Sequence, residues 1–301
     1  MKMSFTDKYK QYLDIIEGWL KGILAPESLL GDDFPERNVY DAMKYSLMAG
    51  GKRIRPVLSL AVCDMLNGDK KEVIPFAGAI ELIHTYSLIH DDLPCMDNDD
   101  YRRGKLTNHK MFGEAMAVLA GDGLLNLAFE TMLRETFKDD MTAFRSKTAY
   151  MVATASGTRG MIGGQVIDME SEKTDISYDV LCQMHKKKTG ALIKASVLAP
   201  AILFNTEKDI TSKLEAYADN IGLAFQIKDD ILDYEGNSEI VGKSTGSDSA
   251  NNKATFISIL GIEKAKRLLM TYVENAVNAL DAIDNNDFLT QVAVFIAERD
   301  K

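Results

Sequence analysis

The sequence is poor in the features that mark secreted, nucleic-acid-binding or membrane-spanning chains. Its 301 residues hold three cysteines, Cys63, Cys95 and Cys182, far apart and with no CxxC pair. An odd, scattered set supplies neither a disulfide framework nor a zinc site, and suits a reducing compartment. Basic residues are the minority, 35 Lys and Arg against 45 Asp and Glu, for a formal charge of −10. That balance excludes a general nucleic-acid binder, although a local group of cations could still hold a small anion. No uninterrupted run approaches the ~18 apolar residues of a membrane span. The N-terminus, MKMSFTDKYKQYLD, mixes charges and does not read as a secretory signal. A cytoplasmic location with no membrane span is expected.

What the chain does have is apolar substance and helical rhythm. It is 46% hydrophobic and 27% charged, enough for a sizeable core. Leu214, Tyr217, Ala218, Ile221 and Phe225 recur at three- and four-residue steps, as one face of a helix requires. Asp7–Leu24, Val39–Met48, Pro75–Asp92, Glu114–Phe137, Thr142–Gly160 and Asp179–Leu198 read the same way, and alternating strand patterns are scarce. Of only six prolines, Pro56 and Pro75 fit first helical turns, while Pro94 should end the segment before it. No linker, repeat or low-complexity tract divides the chain. The expectation is a single all-α domain over residues 1–301.

Two aspartate clusters carry the chemistry. The first is Asp91, Asp92 and Asp97, followed by Asn98, Asp99 and Asp100; the second is Asp229, Asp230 and Asp233. Asp229 and Asp233 are four apart and share a helical face, with Asp230 beside them. Three converging carboxylates repel one another unless a cation is present. Both clusters close apolar helical segments, where negative charge opposes the helix macrodipole. A hard cation would relieve that cost. Oxygen-only ligands suit magnesium or calcium, and magnesium commonly binds through a few carboxylates plus substrate phosphates.

Cations lie around these acids. Gly50, Gly51, Lys52, Arg53, Ile54, Arg55 and Pro56 set three of them beside a glycine pair. Glycine permits close approach of backbone, and arginine grips phosphate oxygens with its planar fork. Arg102, Arg103 and Lys105 follow the first aspartate cluster, and Lys186, Lys187 and Lys188 lie between the two. Any one group alone would be an ordinary exposed basic face; together they suggest a diphosphate bridged by magnesium. His84, two helical turns before Asp91, points along the face that ends in the acids. Gly242-Lys243-Ser244-Thr245 imitates the tail of a P-loop, but Asn237 stands where that motif needs glycine.

The combination resembles the trans-isoprenyl diphosphate synthases. The resemblance runs through GGKRIRP at 50–56, ELIHTYSLIHDDLPCMDNDDYRRG at 81–104 and AGDGLL at 120–125. It continues through GGQVID at 163–168, KKTGAL at 187–192, FQIKDDILD at 225–233 and GKSTGSD at 242–248. It implies a fold of about ten helices around a deep central cavity, usually as a homodimer. By motif position, Asp91, Asp92 and Asp97 would hold magnesium from one wall, and Asp229, Asp230 and Asp233 from the other. Gly51, Lys52, Arg55, His84 and Arg103 would take isopentenyl diphosphate. Arg102, Lys188, Gln226, Lys243 and Lys253 would take the allylic diphosphate, with Thr189 beside the reacting carbon. Gln165 and Asp168 would support the site.

The chemistry implied is ionisation of the allylic diphosphate, with charge on the leaving group stabilised by magnesium and cations. The double bond of isopentenyl diphosphate would attack the allylic cation, and the released diphosphate would take the final proton. Lys188, Thr189 and Gln226 are the residues assigned to this step. In this family the helix entering the first acidic motif lines the product tunnel, so Tyr86 and Ser87 would set chain length. An aromatic Tyr86 favours a fifteen-carbon product, farnesyl diphosphate. The alternatives are a geranylgeranyl diphosphate synthase, a terpene cyclase and a noncatalytic isoprenoid-binding subunit. Tyr101 departs from the Leu of many relatives and leaves both arginines in place.

Overall fold

A computed structural model describes residues 3–24, 36–138, 142–172, 174–236 and 254–299. Helices α1 (Phe5–Ile23), α2 (Arg37–Leu47), α3 (Ile54–Met65) and α4 (Lys70–Asp91) open the fold. A two-residue antiparallel hairpin follows, β1 (Tyr101–Arg102) and β2 (Lys105–Leu106), with Arg102 opposite Lys105. Helices α5 (Asn108–Phe112), α6 (Glu114–Thr136), α7 (Thr142–Ser156) and α8 (Met161–Ser171) come next. Then α9 (Tyr178–His185) runs through a π-helical turn, Lys186–Gly190, into α10 (Ala191–Leu203). The long α11 (Lys208–Glu235) and α12 (Phe256–Leu260), α13 (Ile262–Leu280) and α14 (Asp287–Glu298) complete the described chain.

The helices form where the sequence places apolar stripes, and their ends are chemically marked. Ser4 caps α1 by accepting from the Asp7 N–H, and Tyr12, Ile16 and Leu20 then bury one face at four-residue steps. On α11, Leu214, Tyr217, Ala218 and Ile221 are buried as expected, while Phe225 is half-buried. Helix α4 is buried almost all round and packs against α3, α6 and α10. It is therefore a core helix, and its C-terminal end carries half-buried Asp91 and buried Asp92.

Pro75 differs from expectation. It lies within α4, which starts at Lys70 because the Asp69 carboxylate caps it by accepting from the Lys71 N–H. The apolar pattern alone gives no weight to that cap. Pro56, by contrast, occupies the third position of α3, inside its first turn. The span expected over 179–198 is interrupted, because the π turn separates α9 from α10.

Helix α6 has a mean hydropathy of 1.3 over its best window and is long enough to cross a bilayer. The count of uninterrupted apolar residues misses this, since Asp122 breaks the run without lowering the average much. One side of α6 packs on α4, while Val118, Leu119 and Leu133 face outward. Among the described residues it is the one helix with this combination of length and composition.

Candidate active site

Helix α4 delivers the first acidic wall and stops there. Asp92 is its C-cap, and the chain folds back so that Asp97 N–H donates to the Asp91 carbonyl at 2.8 Å. Pro94 cannot extend the helix, which leaves the acids on a tight turn. The hairpin then returns Arg102 onto Asp92: Nε donates to both carboxylate oxygens at 2.7 and 2.8 Å, and Nη2 reaches Oδ1 at 2.6 Å. Asp92 is buried, and its charge is balanced by protein. Asp91 behaves differently. Burial raises its pKa, Lys188 and Arg102 pull it down, and neighbouring Asp97 and Asp92 push it up.

The second wall is the last two turns of α11. Asp229 Oδ1 accepts from Arg299 Nη2 at 2.7 Å, and that guanidinium lies over the Phe225 ring, 4.0 Å from its centroid. Asp230 turns inward, buried, where Oδ2 accepts from the Phe256 N–H at 2.7 Å and Oδ1 from Gln226 Nε2 at 3.0 Å. Asp229 and Asp230 of this cluster are thus each held by protein donors. Among the described residues no group of three His, Cys, Asp or Glu side chains is close enough to hold a bare ion. Asp91 and Asp97 on one wall still form a like-charged, partly buried donor set that a hard cation would relieve. That set fits magnesium, which needs few protein oxygens when substrate phosphates complete its shell.

The basic side begins at Gly50 and Gly51, whose φ angles of 88° and 129° favour glycine. A Cβ on Gly51 would sit 2.7 Å from the Arg103 guanidinium carbon, so the missing side chain lets that arginine approach. Arg103 Nη1 donates to the Gly50 carbonyl. Tyr9 Oη donates to the Lys52 carbonyl at 2.5 Å and fixes the backbone there. Arg53, at φ 47°, turns away into the core. Its guanidinium donates to Glu17 at 2.7 Å, to Glu81 at 2.8 Å and to the Leu47 carbonyl at 2.5 Å. Of the three cations in this motif, Arg53 is thus the one that the core claims.

Arg55 and His84 lie within electrostatic reach of each other. Burial lowers the Arg55 pKa, while Glu81 and Asp229 raise it. His84 is held well below its ordinary value by burial, then by Arg55, Arg103, Arg102 and Arg53. It stays neutral, as a ring among four cations must. Arg55 thus lies within electrostatic reach of Asp229, and Lys188 within reach of Asp91, so each acidic wall has a basic group near it.

The π turn presents the remaining groups. A Cβ on Gly164 of α8 would fall 2.2 Å from the Lys188 backbone nitrogen, and one on Gly222 of α11 would fall 3.1 Å from the Gly190 Cα. Glycine at both positions lets the widened turn pass between the two helices. Lys188 Nζ then meets Asp168 Oδ2 at 2.5 Å, and Thr189 Oγ1 donates to Gln226 Oε1 at 3.1 Å. Single-turn π bulges are rare and concentrate at functional sites. Gln165 lies one turn before Asp168 on the same helix.

Tyr86 and Ser87 sit on α4 just before the acids. Tyr86 is buried, with its ring edge-on to His90 at 5.7 Å, and Ser87 Oγ donates to the His84 carbonyl at 2.9 Å. Lys243 and Lys253 lie outside the described residues. The sequence reading did not single out Glu81, His185 or Arg299, nor give Arg53 its inward role. Spacing could not reveal them, because their partners lie on other helices.

A protein-family model described as polyprenyl synthetase matches residues 36–286. The farnesyl diphosphate synthase of Micrococcus luteus is 46% identical over 280 residues, covering 92% of this chain and 95% of that one. The geranylgeranyl diphosphate synthase of Cyanophora paradoxa is 45% identical over 278 residues, covering 91% and 92%. A crystal structure from Zymomonas mobilis, described as an FPP/GFPP synthase, superposes with a TM-score of 0.85 at 39% identity. It covers 97% of this chain and 99% of that one.

Proposed function

The chain belongs to the polyprenyl synthetase family, and from that premise we propose that it is a prenyltransferase. It condenses isopentenyl diphosphate with dimethylallyl and geranyl diphosphate to give farnesyl diphosphate. The observation that carries this reading is the pairing of charges: each acidic wall has a basic group within electrostatic reach, Lys188 of Asp91 and Arg55 of Asp229. Only a polyanionic ligand with bridging cations would satisfy both signs of charge there.

Each residue's role follows from its setting. Asp91, Asp97, Asp229 and Asp233 are the carboxylates we assign to magnesium, with Asp92 and Asp230 tied to protein donors beside them. Bound magnesium would supply Lewis-acid stabilisation of charge on the departing diphosphate. Lys188 and Arg102 would bind the allylic diphosphate, joined by Lys243 and Lys253. Lys52, Arg55, Arg103 and neutral His84, beside Gly51, would bind isopentenyl diphosphate. The Thr189 hydroxyl and Gln226 amide, already hydrogen-bonded to each other, would turn their oxygens toward the allylic cation. Tyr86 would close the end of the product tunnel. The outward apolar residues of α6, with Tyr150 on α7 and Ile162, Val166 and Met169 on α8, support self-association as a homodimer. One contiguous apolar core supports the one-domain reading.

The test is incubation of purified protein with isopentenyl diphosphate and either allylic starter, with and without magnesium, followed by product analysis. Magnesium-dependent accumulation of the fifteen-carbon product is expected. Mainly twenty-carbon product would favour the second reading, which the 45% identity to a geranylgeranyl diphosphate synthase supports. No elongation under any condition would leave a noncatalytic isoprenoid-binding subunit.

A further inference from the structure

His185 is a buried polar residue for which the reaction just proposed has no use. It is the last residue of α9, immediately before the π turn, and only 6% of its surface is exposed. Neither ring nitrogen has a hydrogen-bonding partner among the described residues. Burial pushes its pKa down to about 3, so the ring is neutral near neutral pH. A neutral imidazole carries one N–H donor and one acceptor. Native interiors rarely leave such a pair unmatched.

The surroundings show what could match it. His185 lines a cavity of about 90 Å³ together with Asp168, Lys188, Gln226, Asp230 and Thr255. A space of that size and polarity admits several water molecules, each needing two to four polar partners. Phe256 stacks on the imidazole at 5.3 Å with 25° between the planes, and restrains the ring. The same Phe256 donates its N–H to Asp230. The cavity thus touches Asp168 of the Lys188 pair and the Gln226–Asp230 pair, both of which hold groups assigned to the allylic substrate.

We propose that His185 anchors an internal water cluster that positions the Asp168–Lys188 pair and Gln226 for the allylic diphosphate. This rests on the prenyltransferase reading of the same site. His185 is a positioning residue: it acts through water and through its neighbours, and touches no substrate. Removing its nitrogens would strand the cluster, loosen Lys188 and leave the isopentenyl side, built on α3 and α4, unaffected.

Three variants separate this from simple packing. His185→Phe keeps the ring stack and deletes both nitrogens. It is expected to raise KM for geranyl diphosphate about tenfold, with KM for isopentenyl diphosphate within about twofold. His185→Gln or His185→Asn, which each restore a polar group, should return KM for geranyl diphosphate to within about threefold of wild type. Wild-type values for His185→Phe, or a parallel rise in both KM values, would overturn the proposal. Should the Phe variant not fold, the wild-type crystal structure decides. Ordered water bonded to a His185 nitrogen is expected, and a dry cavity would overturn the proposal. Wild-type protein without turnover would sink only the prenyltransferase reading, and the crystallographic arm would still decide this one.

Discussion

The two acidic walls share a spelling, two aspartates and then a third, yet the fold finishes them in different ways. At 91–97 the helix has ended, and a hairpin brings Arg102 back to neutralise Asp92 with a bidentate charge pair. At 229–233 the helix continues, and Asp230 accepts from the Phe256 N–H and the Gln226 amide. In each cluster the second aspartate is buried and held by protein donors, and in the second cluster Asp229 is held as well, by Arg299. The contrast teaches that a run of carboxylates is not a set of equivalent ligands. One member holds the wall together, while we assign the chemistry to its neighbours.

The sharpest way to break that division is at the first aspartates. Asp91→Asn or Asp229→Asn should each lower kcat by about a thousandfold, the scale of losing a metal-held leaving group. Circular dichroism should show intact helices, and magnesium titration a weakened response. Full activity in either variant would refute the assignment.

The second aspartates should separate by stability. Arg102→Gln leaves Asp92 buried without its cation, and should cost about 2–3 kcal/mol in denaturant unfolding, discounted for the partial exposure of Arg102. Asp230→Asn keeps an acceptor for a neutral donor, and should cost only about 1 kcal/mol. Equal losses would erase the distinction between the walls.

A smaller effect sharpens the neighbourhood of the first wall. Tyr86→Ala should extend products beyond fifteen carbons, read by chromatography of the dephosphorylated alcohols, whereas Tyr86→Phe should leave them unchanged. Unaltered products in the alanine variant would remove Tyr86 from the tunnel.

A further effect is in the pH dependence of stability. His84 and His185 both have pKa values depressed in the folded state, so the unfolded chain binds more protons below the ordinary value of 6.5. The stability they contribute is complete above that value and is lost as pH falls from 6.5 toward about 3 for His185. Each would add a slope of up to about 1.4 kcal/mol per pH unit inside that window. Thermal melts from pH 7.5 to 5 should show it, and His84→Gln should flatten it. A melting temperature unchanged across that range would contradict the neutral assignment.

Much of this site was legible because helices turn spacing into position. His84 and Asp91 lie on one face of α4, and the acids end the apolar segments, as periodicity requires. The order of motifs also told the family. What spacing cannot encode is a meeting between elements. Arg53 looked like a third cation for the ligand, but two carboxylates on α1 and α4 claim it. Asp230 also accepts from the backbone 26 residues further on, a contact that no motif announces. Lys186 to Gly190 carries no periodic anomaly that would betray a widened turn; Gly164 and Gly222, far away in sequence, make room for it.

That widened turn bears on how length changes in this chain can be tolerated. A π turn is an α-helix holding one residue more than its ladder can pair, and each residue advances the helix by 100°. Removing one of Lys186, Lys187 or Lys188 would restore a regular helix from α9 into α10 and leave the hydrophobic seams on either side in register. Such a deletion is therefore the rare kind that a core helix can absorb. Its casualty would be the aim of Lys188 and Thr189, giving a stably folded chain that has lost its catalytic geometry through a change in length rather than in side-chain chemistry.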